Sequence, residues 1–301
     1  MGKSQGPLVS VIINCFNGEK YLLDSIVSLV SQTYSNWELI FWDNQSTDNS
    51  AEIIKSFKDE RIRYYYAKSH TVLYEARNAA LKKTKGDYIA FLDSDDTWET
   101  NKLELQIPLF LDSEVIFTFS NYFIENIIKK KKWLGLINPK IDGPPENVML
   151  KNYMVAMSTL VIRRSAISKY RLEFNSNYSI IGDFDMVLRL ASIGKFAYIN
   201  SALAIYRIHG NNESTKKRDL EIGELKQFYT EHLTKKSPLS LNPYFWKIKA
   251  LIDYASCINF LLNGKKYKAL QCFFRMKICK LKFRLFFILL LPKDVLKKIK
   301  N

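Results

Sequence analysis

Apolar and polar positions along the first hundred residues alternate between two periods. Residues 8–14 (LVSVIIN) form an apolar run between Pro7 and the Asn17-Gly18 turn pair, the pattern of a strand buried on both faces. Leu22, Ile26, Leu29 and Val30 then recur at i, i+4, i+7 and i+8, which predicts an amphipathic helix. The cycle repeats with strand Trp37–Asp43, helix Asp48–Phe57, strand Ile62–Tyr66, helix Val72–Lys83 and, after Gly86, strand Asp87–Leu92. Such alternation predicts βαβ units and a Rossmann-like α/β sheet, mostly parallel, flanked by helices.

Beyond Asp96 the rhythm changes. Val115–Phe119 and Asn121–Ile127 read as strands, Lys129–Pro145 as a loop, 158–163 and 202–208 as further strands, and Asp185–Ile193 as a helix ending at Gly194. A mixed sheet is therefore expected. From about Lys216 the pattern is helical, which predicts an α/β domain over 1–215 and a C-terminal helical extension over 216–301.

Composition narrows the class. With 47% hydrophobic and 25% charged residues in 301, neither wholesale disorder nor a multi-span membrane protein is indicated. Cys15, Cys257, Cys272 and Cys279 lack C-x-x-C spacing and stand among apolar residues, so reduced, buried thiols are expected. Met1 to Pro7 has neither the basic start nor the apolar stretch of about 7–15 residues of a secretory signal, which predicts a cytoplasmic location.

Most of the net charge of +15 lies in one place. Between Lys265 and Asn301 twelve Lys/Arg face one acid, Asp294, giving +11 and leaving +4 for the remainder. A nucleic-acid-binding protein is thereby disfavoured, because the excess is confined to the tail while acidic strand ends repel phosphate. Phe283–Leu291 (FRLFFILLL) falls far short of the roughly 20 apolar residues of a spanning helix. It is expected either to pack on the domain or to lie in an anionic membrane surface, which would put the chain on the inner face of the plasma membrane.

Candidate chemistry gathers at strand ends, where ligands bind in open parallel sheets. Asn14 to Asn17, Asp43-Asn44 and Asp93-Ser94-Asp95-Asp96 are three such ends. Three carboxylates within four residues raise one another's pKa unless a cation lies between them, and carboxylate with phosphate oxygen suits Mg2+ or Mn2+. Asp96 is expected to cap the next helix. Asp43 could accept the imide hydrogen of a uracil, since Ser46, Thr47 and Asp48 are better placed as helix caps; Phe16 could stack on the base.

Arg77 could neutralise the acidic cluster or contact a nucleotide, the plain alternative being a surface salt bridge. Asp183 and Asp185 open a helix, where the helix dipole accounts for one of them and general-base work for the other. His209 ends a late strand, within reach of a metal or diphosphate.

These stretches resemble family 2 of the inverting glycosyltransferases, of the bacterial surface-polysaccharide type, whose fold is called GT-A. The resemblance runs over about residues 8–210, through VSVIINCFN from Val9, SLVSQTY from Ser28, ELIFWDNQSTD from Glu38, ARNAA from Ala76, DYIAFLDSDDTW from Asp87, DFDMVLRL from Asp183 and YRIH from Tyr206. It implies transfer of a hexosyl or N-acetylhexosaminyl group from a nucleotide sugar, with UDP favoured by Asp43, to a glycan or lipid-linked acceptor. It implies also that Asn14, Phe16, Asp43, Arg77, Asp93 and Ser94 hold the nucleotide sugar, Asp95 and His209 the metal, Mn2+ or Mg2+, and that Asp183 is the base.

Two departures stand out: Asp43 is followed by Asn-Gln-Ser where the family commonly has Asp-Gly-Ser, and Gly182 replaces a glutamate often found before the base. The second leaves Asp183 and Asp185 both open for that role, with Asp183 favoured. A nucleotidyltransferase of the same fold is the rival enzyme; it would carry a Gly-rich basic loop after the first strand, where this chain has NCFNGEK.

Overall fold

A computed structural model describes residues 6–212 and 217–290, which fall into two compact units divided between them. The first unit is an α/β layer structure. Its parallel half comprises β1 (Val9–Cys15), α1 (Glu19–Val30), β2 (Trp37–Asp43), α2 (Ser50–Ser56), β3 (Ile62–Tyr66), α3 (Leu73–Leu81) and β4 (Tyr88–Phe91). There follow β5 (Thr97–Trp98), α4 (Lys102–Gln106), β6 (Val115–Asn126), β7 (Lys131–Leu134), α5 (Pro145–Lys151), β8 (Val161–Arg163), α6 (Arg164–Tyr170), α7 (Gly182–Ile193) and β9 (Lys195–Ile208).

The sheet order is β3-β2-β1-β4-β8-β6-β9-β5, with β7 on β6. Strands β3, β2, β1 and β4 run parallel, β8 is antiparallel to β4 and β6, and β9 is parallel to β6. The mixed, mostly parallel sheet thus matches the expectation.

Both faces of β1, β2 and β4 are covered, which is why these strands read as mainly apolar runs, whereas β3 at the sheet edge is only half-buried. Val9, Val11 and Ile13 of β1 join Leu39 and Phe41 of β2 against Leu22, Ile26 and Leu29 of α1. Ile12 and Ile40, on the opposite face, are also buried. Each such side chain contributes roughly 1.5–3 kcal/mol on burial. Register aligns Cys15 with Asp43 and Ile12 with Phe91, so the carboxyl ends of β1, β2 and β4 open side by side.

Several boundaries differ from expectation. Val115–Asn126 is one strand, with an irregularity at Ser120/Asn121. There the Asn121 side chain leaves the strand pattern to bond the Leu136 amide and carbonyl at 3.0 and 2.9 Å. Residues Met157–Thr159 form a 3₁₀ turn, and β8 is only three residues long. The Lys129–Pro145 loop contains β7, and β9 begins at Lys195.

The second unit carries α8 (Arg218–Thr234), α9 (Trp246–Leu262), α10 (Lys266–Arg275) and α11 (Lys280–Leu289). Its small core includes Cys257, Ile258, Leu261, Ala269, Met276 and Leu285. All four cysteines are free thiols, but only Cys15 and Cys257 are buried; Cys272, on α10, and Cys279, in the bend just before α11, are partly exposed. No helix among the described residues is long and apolar enough to cross a membrane. Residues 291–301, the end of the basic tail, lie outside the described set.

Candidate active site

The loops after β1 and β2 are sewn together. Asp48 accepts the Glu19 amide at 2.9 Å, Asn17 accepts the Thr47 amide at 2.8 Å, and the Gly18 and Asn17 amides donate to Ser50 and Ser46. Gly18 is needed there: a Cβ would stand 2.8 Å from Cys15 Sγ and 3.2 Å from Ser94 Oγ. Ser94, and with it the acidic loop after β4, therefore lies against the β1 loop. Asn14, partly buried on β1, has its amide Nδ2 buried without a hydrogen-bond partner among the described residues. A ligand acceptor would satisfy it.

Asp43 is fully buried. Its Oδ1 accepts the Ser46 amide at 2.7 Å and its Oδ2 the Tyr64 hydroxyl at 2.8 Å. This corrects the expectation that Asp43 has no capping duty: it closes the turn after β2 itself, and the reason lies in Tyr64 on the neighbouring strand. Phe16 is 51% exposed and available for stacking.

The acidic loop assigns a different partner to each carboxylate. Asp93 Oδ1 meets Arg77 Nη2 at 2.5 Å. Arg77 is 4% exposed, which excludes the surface salt bridge; its guanidinium lies 5.6 Å from the Tyr74 ring and 5.8 Å from Phe174. Asp95 Oδ2 is 2.9 Å from His209 Nε2 and 3.3 Å from Asn212 Nδ2. Burial, then the Asp93 charge, raises the Asp95 pKa, while His209 opposes the rise.

Asp96 does not cap a helix. The short strand β5 follows it, and its buried carboxylate accepts the Ser158 hydroxyl at 2.6 Å and the Arg207 amide at 3.0 Å. Burial, followed by repulsion from Asp95 and Asp93, holds its pKa well above the usual carboxylate range. Ser158 also accepts the Asp93 amide at 3.2 Å, and its carbonyl takes Trp98 Nε1 at 2.7 Å. Asp96 and Ser158 thus tie the acidic loop to the end of β9, two residues before His209.

Asp183 comes to the same place from α7. Its Oδ1 accepts the Phe184 amide at 2.8 Å and lies 3.3 Å from the Tyr74 hydroxyl, whose hydrogen also faces the Ile180 carbonyl at 2.7 Å. A Cβ on Gly182 would stand 2.6 Å from the Tyr74 ring, so the departure from glutamate makes room for that tyrosine. Burial raises the Asp183 pKa, and the Arg77 charge opposes it. Asp185 is engaged elsewhere: Arg189, one turn along α7, holds its Oδ2 at 2.7 and 3.0 Å.

Asp95 and His209 supply a carboxylate oxygen and an imidazole nitrogen that converge on one spot. That donor set fits a divalent cation whose remaining ligands are phosphate oxygens and water. Among the described residues no group of three His, Cys, Asp or Glu could hold a metal alone. Tyr21, whose ring lies 4.6 Å from His209, together with Tyr64, Tyr74 and Ser158, had no signal in the linear motifs.

A mixed sheet whose strand ends carry a stitched loop pair and a cluster of desolvated carboxylates defines an α/β protein with a polar site at the carboxyl ends of its parallel strands. Residues 10–171 match the model of glycosyl transferase family 2, and the chain belongs to that family; it is a glycosyltransferase. It is 36% identical, over 70% of its length and 81% of the relative's, to the UDP-Glc:alpha-D-GlcNAc-diphosphoundecaprenol beta-1,3-glucosyltransferase WfaP of Escherichia coli.

Solved structures support the GT-A fold. One is S. aureus TarS in complex with UDP-GlcNAc, with a TM-score of 0.58 and 16% identity over 88% of each chain. Another is the mannosyltransferase PcManGT from Pyrobaculum calidifontis in complex with GDP-Man and Mn2+, with a TM-score of 0.58 and 14% identity over 98% of this chain and 87% of that one. Metal dependence is typical of this fold class.

Proposed function

We propose that the protein transfers a sugar from a UDP-sugar to a hydroxyl of a lipid-linked glycan, with inversion, in cell-surface polysaccharide synthesis. The observation that carries this reading is the placement of Asp183 beside the Arg77–Asp93 pair, braced by Tyr74. Phe16 and Asn14 form the base end of the donor site, with Asp43 buried beneath it and holding the turn after β2, and Arg77, Asp93 and Ser94 form the ribose and diphosphate end. The lipid-linked acceptor is supported by the substrate in the name of the E. coli relative.

Asp183 accepts the proton of the attacking hydroxyl as its oxygen bonds to the anomeric carbon from the face opposite the diphosphate. The bond to the leaving oxygen breaks in the same step, which inverts the configuration. Desolvation makes Asp183 a stronger base than a surface carboxylate, and such bases contribute about 10²–10⁴ in rate. A divalent cation bound by Asp95 and His209 would offset charge on the leaving diphosphate.

The second unit supports peripheral contact with an anionic membrane, on the cytoplasmic face. Phe274, Ile278, Phe283, Phe287 and Leu290 are exposed among Arg275, Lys277, Lys280, Lys282 and Arg284. Aromatic and aliphatic side chains interleaved with cations suit a headgroup interface.

The test is transfer from UDP-Glc, UDP-GlcNAc and GDP-Man to a GlcNAc-diphospholipid, with and without Mn2+. Asp183→Asn should abolish transfer while keeping the wild-type affinity for UDP, and Asp185→Asn should remain active. Substantial transfer by pure Asp183→Asn removes the assigned base, and binding of GDP-Man in preference to UDP-sugars removes the donor.

A further inference from the structure

His70 lies at the mouth of the strand ends, in the segment between β3 and α3. That segment is strapped down: the Ala67 amide donates to the Asp43 carbonyl at 2.8 Å, and Asn44 bonds the Thr71 carbonyl and amide at 2.7 and 3.2 Å. The His70 ring is exposed and lies 4.2 Å from Phe16, centroid to centroid. Its Nδ1 is 2.8 Å from the Asn44 carbonyl oxygen.

A backbone carbonyl only accepts, so Nδ1 carries the hydrogen and the neutral ring has its lone pair at Nε2. Phe16 and His70 therefore present an aromatic surface with a hydrogen-bond acceptor on it. Uracil has an apolar face and one ring N–H donor, at N3. Asp43, the other acceptor in this region, is fully buried with the Ser46 amide and the Tyr64 hydroxyl on its two oxygens.

We propose that His70 is a specificity-determining residue of the donor site, its Nε2 accepting the N3 hydrogen of a uracil stacked against Phe16. The assignment rests on a uridine nucleotide being the donor. Cytosine, which carries its hydrogens on the exocyclic N4 and a lone pair at N3, would meet the same acceptor with a displaced base edge. Purines would have to shift their glycosidic bond to bring a donor to it.

The experiment compares UDP with N3-methyl-UDP by titration calorimetry in Mn2+, on the full chain and on His70→Phe and His70→Gln. The exposed ring makes both variants tolerable for folding, which circular dichroism verifies. The wild type should favour UDP at least tenfold. His70→Phe, which keeps an aromatic face, should bind UDP about five- to tenfold more weakly, the worth of one hydrogen bond, and should lose the discrimination. His70→Gln, which retains an acceptor, should recover part of it. Full discrimination in folded His70→Phe, or none in the wild type, overturns the role of His70 while leaving the donor intact. Absence of UDP binding by the wild type overturns the donor assignment and this one together.

Discussion

Ser158 lies on a 3₁₀ turn that belongs to none of the recognisable motifs, yet its hydroxyl serves two members of the acidic loop. Ser158→Ala removes the 2.6 Å donor to Asp96 Oδ2 and the 3.2 Å acceptor of the Asp93 amide. The Asp96 side chain is buried, so no water replaces the lost donor readily. A buried polar group left without its partner costs about 1–3 kcal/mol, so global stability should fall by about 2 kcal/mol.

The functional effect is smaller than that whole amount, because the Arg207 amide still holds Asp96 Oδ1 at 3.0 Å and keeps β9 tied to the loop. If about 1.4 kcal/mol is felt where Asp95 meets His209, the Mn2+-dependent affinity for UDP drops roughly tenfold. Affinity for UDP in EDTA should change by less than about twofold, and Ser158→Thr, which keeps a hydroxyl, should recover most of the loss. Calorimetry with and without metal separates the two affinities, and urea denaturation reports the stability. A Ser158→Ala protein that is destabilised as expected but binds UDP equally well in Mn2+ refutes the idea that this clamp sets the metal ligands.

Lys102 is fully buried; its ammonium lies 4.4 Å from the Trp98 ring centroid and bonds Gln106, and burial lowers its pKa to about 7. Between about pH 7 and the unfolded value of 10.5 the unfolded chain binds a proton that the folded one does not, so stability should rise with pH by at most about 1.4 kcal/mol per unit. Lys102→Met should lack that rise in urea titrations across the window; an unchanged slope would show that Lys102 is charged in the fold. For the second unit, Phe283→Ser with Phe287→Ser should weaken partition onto phosphatidylglycerol vesicles at least about tenfold, from the apolar area no longer buried. Equal vesicle binding would place the membrane contact elsewhere or nowhere.

The parallel half of the fold was legible because burial on both faces leaves a mark in consecutive residues: LVSVIIN and ELIFWD can hardly be anything but inner strands. The outer strand β9 was half missed for the converse reason. Lys195 to Ser201 has no fully buried position, and its apolar run, Phe196 to Ile199, is only four residues long and follows α7 after the single Gly194.

At the site the limit is of another kind. Asp93, Asp95 and Asp96 are chemically alike and nearly adjacent, and what distinguishes them is partners 16, 114 and 62 residues away, namely Arg77, His209 and Ser158. Local sequence shows that a carboxylate cluster exists but not which member turns inward, and the plainest guess for Asp96, a helix cap, took the following residues for a helix that begins only at Lys102. The same holds for Asp43, whose second oxygen is taken by a tyrosine on the next strand. Asp185 is the counter-example: Arg189 stands at i+4, the spacing at which helical side chains meet, so its engagement was readable before any coordinates. Where a carboxylate's partner lies within one helical turn, spacing alone separates structural from available; where the partner arrives across the sheet, only the fold does. Asp183, whose brace Tyr74 is 109 residues away, belongs to the second kind.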